Sequence, residues 1–144
     1  MFNIREMTID DYDRVMALMK QTPGITFRDA DSRESTARYL ERNSGLSFVA
    51  EINGEIIASL MAGHDGRRGY LQHLVVHPEH RRKGVAGSLT EHSLHKLEQL
   101  GIRKFHIDLL NENQSGMAFW ESQGWKPRSD IKRYSLVRSG GENA

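Results

Sequence analysis

The sequence predicts an α/β fold, one mixed central sheet flanked by helices on both faces, and three observations carry that prediction. The patterns run strand, two helices, three strands joined by tight turns, then strands alternating with helices, which is the order of a single layered domain. Asn53-Gly54 separates two runs rich in strand formers, the strongest short-range signal for a hairpin. A chain of 144 residues, 38% hydrophobic and 27% charged, suits one domain, taken as residues 1–137 with a frayed tail over 138–144.

Phe2 to Met7 reads as a short strand, and Thr8 stands before Ile9, Asp10 and Asp11 as an N-cap with acids in the first turn. Ile9, Tyr12, Val15, Met16 and Met19 recur at helical steps, giving one apolar stripe until Pro23-Gly24 breaks it. Residues Thr22 to Ala30 form a loop, after which Asp31 or Ser32 caps a second helix running toward Asn43. The apolar side of that helix is thin, with Ala37 and Leu40 on one face and Tyr39 beside them. Leu46–Ile52 and Glu55–Ala62 are the hairpin strands, and Tyr70–Val76 follows as a third strand that stops before Pro78. A long helix from Gly84 to Leu100 places Ala86, Leu89, Ser93, Leu97 and Leu100 on one face and closes at Gly101. Arg103–Leu110 is expected as a strand, Asn113–Ser122 as a short helix, and Trp125–Arg128 and Arg133–Val137 as two final strands.

Twenty basic and nineteen acidic side chains leave a net charge of +1, too little positive field for a domain built mainly to hold a nucleic acid or an anionic membrane. The absence of cysteine removes disulfides, thiolate nucleophiles and cysteine-containing zinc sites, and suits a cytoplasmic location. No secretory signal opens the chain, and the longest mostly apolar run, Ile56 to Gly63, falls far short of the ~20 residues that span a bilayer. Seven histidines raise the question of a metal, but His77-Pro78-Glu79 lacks the cysteines of a zinc deaminase and His92 with His95 lacks a third ligand, so no metal is expected. His73 and His106 are read as hydrogen-bonded within the sheet.

The informative segment is Leu74-Val75-Val76-His77-Pro78-Glu79-His80-Arg81-Arg82-Lys83-Gly84-Val85-Ala86-Gly87-Ser88: a strand, a basic glycine-containing loop and a helix start. Such a junction gathers free NH groups and the positive end of a helix dipole, and Arg81, Arg82 and Lys83 stand alongside, which outlines an anion site. The bland alternative is a solvated basic turn. The spacing fits neither a nucleoside-triphosphatase loop nor a dinucleotide fold.

Arg81-x-x-Gly84-x-Ala86 resembles the Arg/Gln-x-x-Gly-x-Gly/Ala signature of the GNAT superfamily of acyl-CoA-dependent N-acetyltransferases. Phe48-Val49-Ala50-Glu51 with Asn53-Gly54 is similar to that family's central hairpin, and Asn113-x-x-Gly116-x-x-Phe119-Trp120-x-x-x-Gly124-Trp125 to its final motif. The resemblance implies a GNAT-like fold and acetyl-CoA as co-substrate. It implies that the amides of Arg82, Lys83, Gly84, Val85, Ala86, Gly87 and Ser88 hold the CoA pyrophosphate. It further implies that the backbone of Leu74, Val75 and Val76 pairs with pantetheine, and that Asn113 and Trp120 touch the cofactor. Trp120 stands where many members carry a tyrosine acid, and indole does not ionise usefully, so its readings are packing or a hydrogen bond.

Strand alternation places Tyr70, Gln72 and Leu74 on one face and Leu71, His73 and Val75 on the other, with Tyr70 and Gln72 as candidates to line the active site. No acid lies between Tyr70 and Val76, and Glu51 reads as a solvated strand residue or a remote carboxylate, so no base is named. The expected activity is direct acetyl transfer to a primary amine, small molecule or peptide, its pocket shaped by Thr22 to Ser35; a non-catalytic acyl-CoA-binding or regulatory module is the alternative. Nucleic acid and membrane are not expected as partners, and a homodimer is left open.

Overall fold

A computed structural model describes residues 1–144. Five strands form one sheet in sequential order: β1 (Asn3–Glu6), β2 (Phe48–Ile52), β3 (Glu55–His64), β4 (Gly69–Val76) and β5 (Phe105–Ile107). The first four pair antiparallel and β4 pairs parallel with β5, so the sheet is mixed as the sequence predicts. Four helices cover it: α1 (Tyr12–Lys20), α2 (Arg33–Arg42), α3 (Val85–Gln99) and α4 (Gln114–Ser122).

Two apolar layers fix which helix lies where. On one face Phe48, Ala50, Leu60 and Leu71 meet Val85, Leu89 and Leu97 of α3 and Trp120 of α4. On the other, Val49, Met61 and Val75 meet Val15, Leu18 and Met19 of α1, with Tyr39 and Leu40 of α2 at the margin. Leu100, expected on the inner face of α3, lies past the helix end and is exposed.

Caps and ion pairs hold the ends. Thr8 N–H donates to the Asp11 carboxylate at 2.8 Å, and Ser32 Oγ accepts from Ser35 N–H at 3.1 Å, which identifies Ser32 as the cap of α2. Asp11, 2% exposed, also accepts from Arg5 at 2.7 and 2.9 Å and from Arg14 at 2.8 Å, while Arg5 Nε donates to Glu51 at 2.8 Å. Glu51 is therefore neither solvated nor free; it ties β2 to β1 and the start of α1. Burial works to raise the Asp11 carboxyl, but Arg5, the Thr8 amide and Arg14 outweigh it and hold the carboxyl below its usual range. Arg5 likewise holds Glu51 low, against a smaller cost of burial.

The sheet ends earlier than the sequence suggests. Only Phe105–Ile107 of the expected Arg103–Leu110 strand is paired, and the two strands expected over Trp125–Arg128 and Arg133–Val137 do not form. Strand propensity is realised only where a neighbour accepts the ladder, and β5 gives its three residues to β4 alone. Tyr134 and Leu136 consequently point to solvent, Arg128 pairs with Asp130, and Asn143 in the tail accepts from Asp29 N–H at 2.7 Å.

Candidate functional site

The site is organised by β4. Its N-terminal part, Gly69–Leu71, pairs with β5, but β5 stops at Ile107, so the edge of β4 beyond Leu71 carries no strand on that side. Its other edge pairs with β3 in a register that slips between Ser59 and Met61: Val75 faces Ser59 and Gln72 faces Met61, so His73 and Leu74 together oppose Leu60. This is a β-bulge, and His73 adopts φ 54°, a left-handed conformation uncommon for a residue with a side chain.

The bulge overturns simple alternation. Leu71 packs with the α3 layer and Val75 with the α1 layer, although a regular strand would put both on one face. Gln72 and His73, neighbours in sequence, both line one cavity of about 600 Å³ under α2. Tyr70 does not line it; its hydroxyl lies 3.3 Å from Asp65 in the β3–β4 turn. Gly63 gives the cavity wall its room, since a Cβ there would lie 2.7 Å from the Tyr39 hydroxyl and 2.7 Å from Asn43 Cγ.

His73 Nε2 lies 2.9 Å from Asp31 Oδ1, both groups largely withdrawn from solvent yet facing the cavity. An imidazole beside a carboxylate can take up and relay a proton. Sequence alternation missed the pair because its partners lie 42 residues apart and because the bulge re-aims His73. The segment Thr22 to Ser35 contributes Arg28, Ala30, Asp31 and Ser35 to the cavity. Tyr39 adds a phenol that burial pushes up, with the Gln72 side chain beside it but outside hydrogen-bonding geometry.

At the other end of β4, His77 and a short turn of Pro78–His80 lead to Arg81, whose Nε donates to the Val76 carbonyl at 3.3 Å. Arg82 and Gly84 take positive φ, 63° and 81°, and Gly84 is the N-cap of α3. Ser88 N–H bonds the Gly84 carbonyl at 3.1 Å, which leaves the preceding first-turn amides of Val85, Ala86 and Gly87 without an i−4 partner. A Cβ built on Gly84 or Gly87 would meet nothing within 4 Å, so neither glycine is packed against another part of the chain, and a helix start with unpaired amides is suited to an anion. Arg81, Arg82 and Lys83 are exposed around them.

Asn113 caps α4: its Oδ1 accepts from Gly116 N–H at 2.9 Å, and a Cβ on residue 116 would lie 2.5 Å from Asn113 Nδ2. That contact gives the Asn-x-x-Gly spacing a physical reason. Trp120, 4% exposed, stands edge-on to Phe119 at 5.0 Å and Trp125 at 4.9 Å, and its indole NH makes no hydrogen bond within the chain. It is a core residue. Elsewhere on α3, the His92 ring lies tilted against Phe48 at 5.4 Å and bonds the Ser88 carbonyl at 2.8 Å, while His95 lies 3.3 Å from Gln99.

An open strand edge leading into an amide-lined helix start coincides with a family match: residues 12–125 fit the model of the acetyltransferase (GNAT) family. The chain belongs to that family. A protein named acetyltransferase ECA0875 from Pectobacterium atrosepticum is 33% identical over 118 residues, covering 82% of this chain and 83% of that one. Among solved structures, the PaiA N-acetyltransferase of Thermoplasma acidophilum in complex with coenzyme A superposes with a TM-score of 0.77 at 18% identity, covering 88% of this chain and 90% of that one. The aminoglycoside 6′-N-acetyltransferase AAC(6′)-IG of Acinetobacter haemolyticus gives 0.76 at 21% identity, with 95% and 99% covered. These likenesses establish the GNAT fold. As a GNAT acetyltransferase the chain uses acetyl-CoA as co-substrate, and no helix of this acetyltransferase is long and apolar enough to cross a membrane.

Proposed function

We propose that this acetyltransferase moves the acetyl group of acetyl-CoA directly onto a primary amine bound in the cavity under α2. The observation that carries the reading is the continuity of β4: its unpaired edge runs from the cavity residues Gln72 and His73 to the amide-lined start of α3. In this reading the amides of Arg82 to Ser88, with the side chains of Arg81, Arg82 and Lys83, hold the pyrophosphate. The free edge at Leu74, Val75 and Val76 pairs with pantetheine as an added strand would, and Asn113 and Trp120 border it from α4. On this reading the thioester lies along the free edge between Val76 and the bulge at His73.

The amine nitrogen then attacks the thioester carbon, a C–N bond forms, the C–S bond breaks and CoA leaves as the thiolate. A backbone NH near Val76 supports the oxyanion, and the proton shed by the amine passes to His73, steadied by Asp31, directly or through one water. Trp120 supplies no proton. A thiol ionises near a pKa of ~8.5, so the thiolate departs without a matched acid and is protonated from solvent. No cysteine exists to take the acyl group, and Ser88 sits in the pyrophosphate turn, which supports direct attack over a covalent relay.

Incubation with acetyl-labelled CoA tests the order of events. Without amine the protein should acquire no covalent label; with a competent amine, CoA release and acetyl-amine formation should match one to one. A labelled protein that passes its acetyl group to the amine would contradict direct transfer.

A further inference from the structure

We propose that the acceptor is a small amine that also carries an oxyanion, a carboxylate or a phosphate, and that Arg28, Arg38 and Arg42 recognise that oxyanion. The inference rests on the reading of the cavity as the amine site. All three arginines line the cavity, and none has a carboxylate within salt-bridge distance. Their contacts within the chain are slight: Arg28 reaches Asn143 Oδ1 at 3.3 Å, and Arg38 reaches Ser35 Oγ at 3.4 Å. The single acid in the lining, Asp31, is engaged by His73. Outside the cavity Arg5, Arg14, Arg33, Arg128 and Arg133 are paired with acids, and the remaining arginines without an ion pair do not line it. A net charge of +1 for the whole chain thus conceals a cavity with three unmatched guanidinium groups.

The construction of α2 points the same way. Arg38 and Arg42 stand four apart and share one face of the helix, and Arg28 approaches from the segment before it. Glu34 and Glu41 belong to the same helix but do not line the cavity. Tyr39, which lines the cavity beside Gln72, has a hydroxyl buried without a hydrogen-bond partner, a polar group the chain itself leaves unsatisfied. Guanidinium groups match carboxylate and phosphate in planar, bidentate fashion, and the same field repels polyamines and other polycationic acceptors. A cavity of about 600 Å³ suits a small molecule.

The test uses the full chain with acetyl-CoA and matched primary amines: glutamate beside its diamide, O-phosphoethanolamine beside ethanolamine, the polycation spermidine, and a short peptide with an acidic N-terminus. The acidic member of at least one pair should exceed its neutral partner at least tenfold in kcat/KM, and which pair responds separates carboxylate from phosphate. That preference should collapse in the Arg38→Gln/Arg42→Gln double variant, through KM more than kcat, and survive Arg67→Gln in the β3–β4 turn. Preference for a neutral amine or spermidine, or a preference unchanged in the double variant, would overturn the anion assignment and leave amine transfer standing. Preference for the peptide over both free acidic amines would overturn the small-molecule assignment.

If no amine is turned over although acetyl-CoA binds, amine transfer itself fails. Calorimetry of the CoA-bound protein with glutamate and O-phosphoethanolamine then decides the subsite: saturable binding of either, weakened tenfold in the double variant, supports it, and no binding at millimolar concentration defeats it.

Discussion

The two ends of β4 are built from different materials, and in the proposed reading they meet two different recognition problems. At its C-terminal end the groups on offer are main chain: the unpaired amides of Val85, Ala86 and Gly87 at the head of α3, with Gly84 and Gly87 packed against nothing. At the bulge the surface is side chain: His73 and Gln72 from the strand, Asp31 from the loop, and Tyr39, Arg38 and Arg42 from α2. A main-chain site constrains the sequence through conformation, so it leaves a spaced pattern such as Arg81-x-x-Gly84-x-Ala86. A side-chain site is assembled from separate stretches and leaves none. A site of the first kind is therefore legible in a sequence, whereas one of the second kind can change residue by residue while the fold stays the same.

Separating the two ends by mutation breaks or sharpens this contrast. His73→Ala should cost about a hundredfold or more in kcat, the usual worth of a positioned base, while acetyl-CoA affinity stays unchanged. Turnover at wild-type rate would remove His73 from the chemistry. Glu51 offers the control, since it is a carboxylate committed to Arg5: Glu51→Gln should lower stability by about 1 kcal/mol and leave kcat alone, read by thermal unfolding beside steady-state rates. The sign of its pH dependence follows from the shift. Both Asp11 and Glu51 are held below their ordinary range in the fold, so their contribution is present above that range and is lost as pH falls through the depressed folded values. Acid titration of the Glu51→Gln variant should show a shallower loss of stability than wild type.

At Trp120 the expected effect is on stability more than on catalysis. Trp120→Phe should change kcat by less than about tenfold, because indole is no proton donor. It should still lower the unfolding midpoint, because the ring is packed between Phe119 and Trp125. A hundredfold fall in single-turnover rate, about 2.7 kcal/mol of barrier, would restore a catalytic role to its NH.

Much of this architecture was legible in the sequence, and the failures have identifiable causes. Asn53-Gly54 and the periodicities of α1 and α3 located the hairpin and the helices of both layers, because each of those elements has a strong apolar face. The thin apolar side of α2 was correctly read and its meaning was not: the face that turns from the core carries Ser35, Arg38 and Arg42 because it lines a cavity. Alternation along β4 failed at His73, where one added residue sends the rest of the strand to opposite faces, and no residue there announces a bulge. Trp125 to Val137 has the composition of strands but no ladder to join, a fact about β5 that local propensity does not contain.

Titration calorimetry with acetyl-CoA on wild type, Gly87→Leu and His73→Ala tests the division of labour along β4 most directly. Gly87 has an ordinary helical φ and open space at its Cβ, so leucine there costs no backbone strain, and in the proposed reading it occupies the space the pyrophosphate needs. Gly87→Leu should lose at least a hundredfold in acetyl-CoA affinity with its fold intact by circular dichroism, and His73→Ala should bind as wild type does. Undiminished binding by folded Gly87→Leu, or equal losses in the two variants, would contradict it.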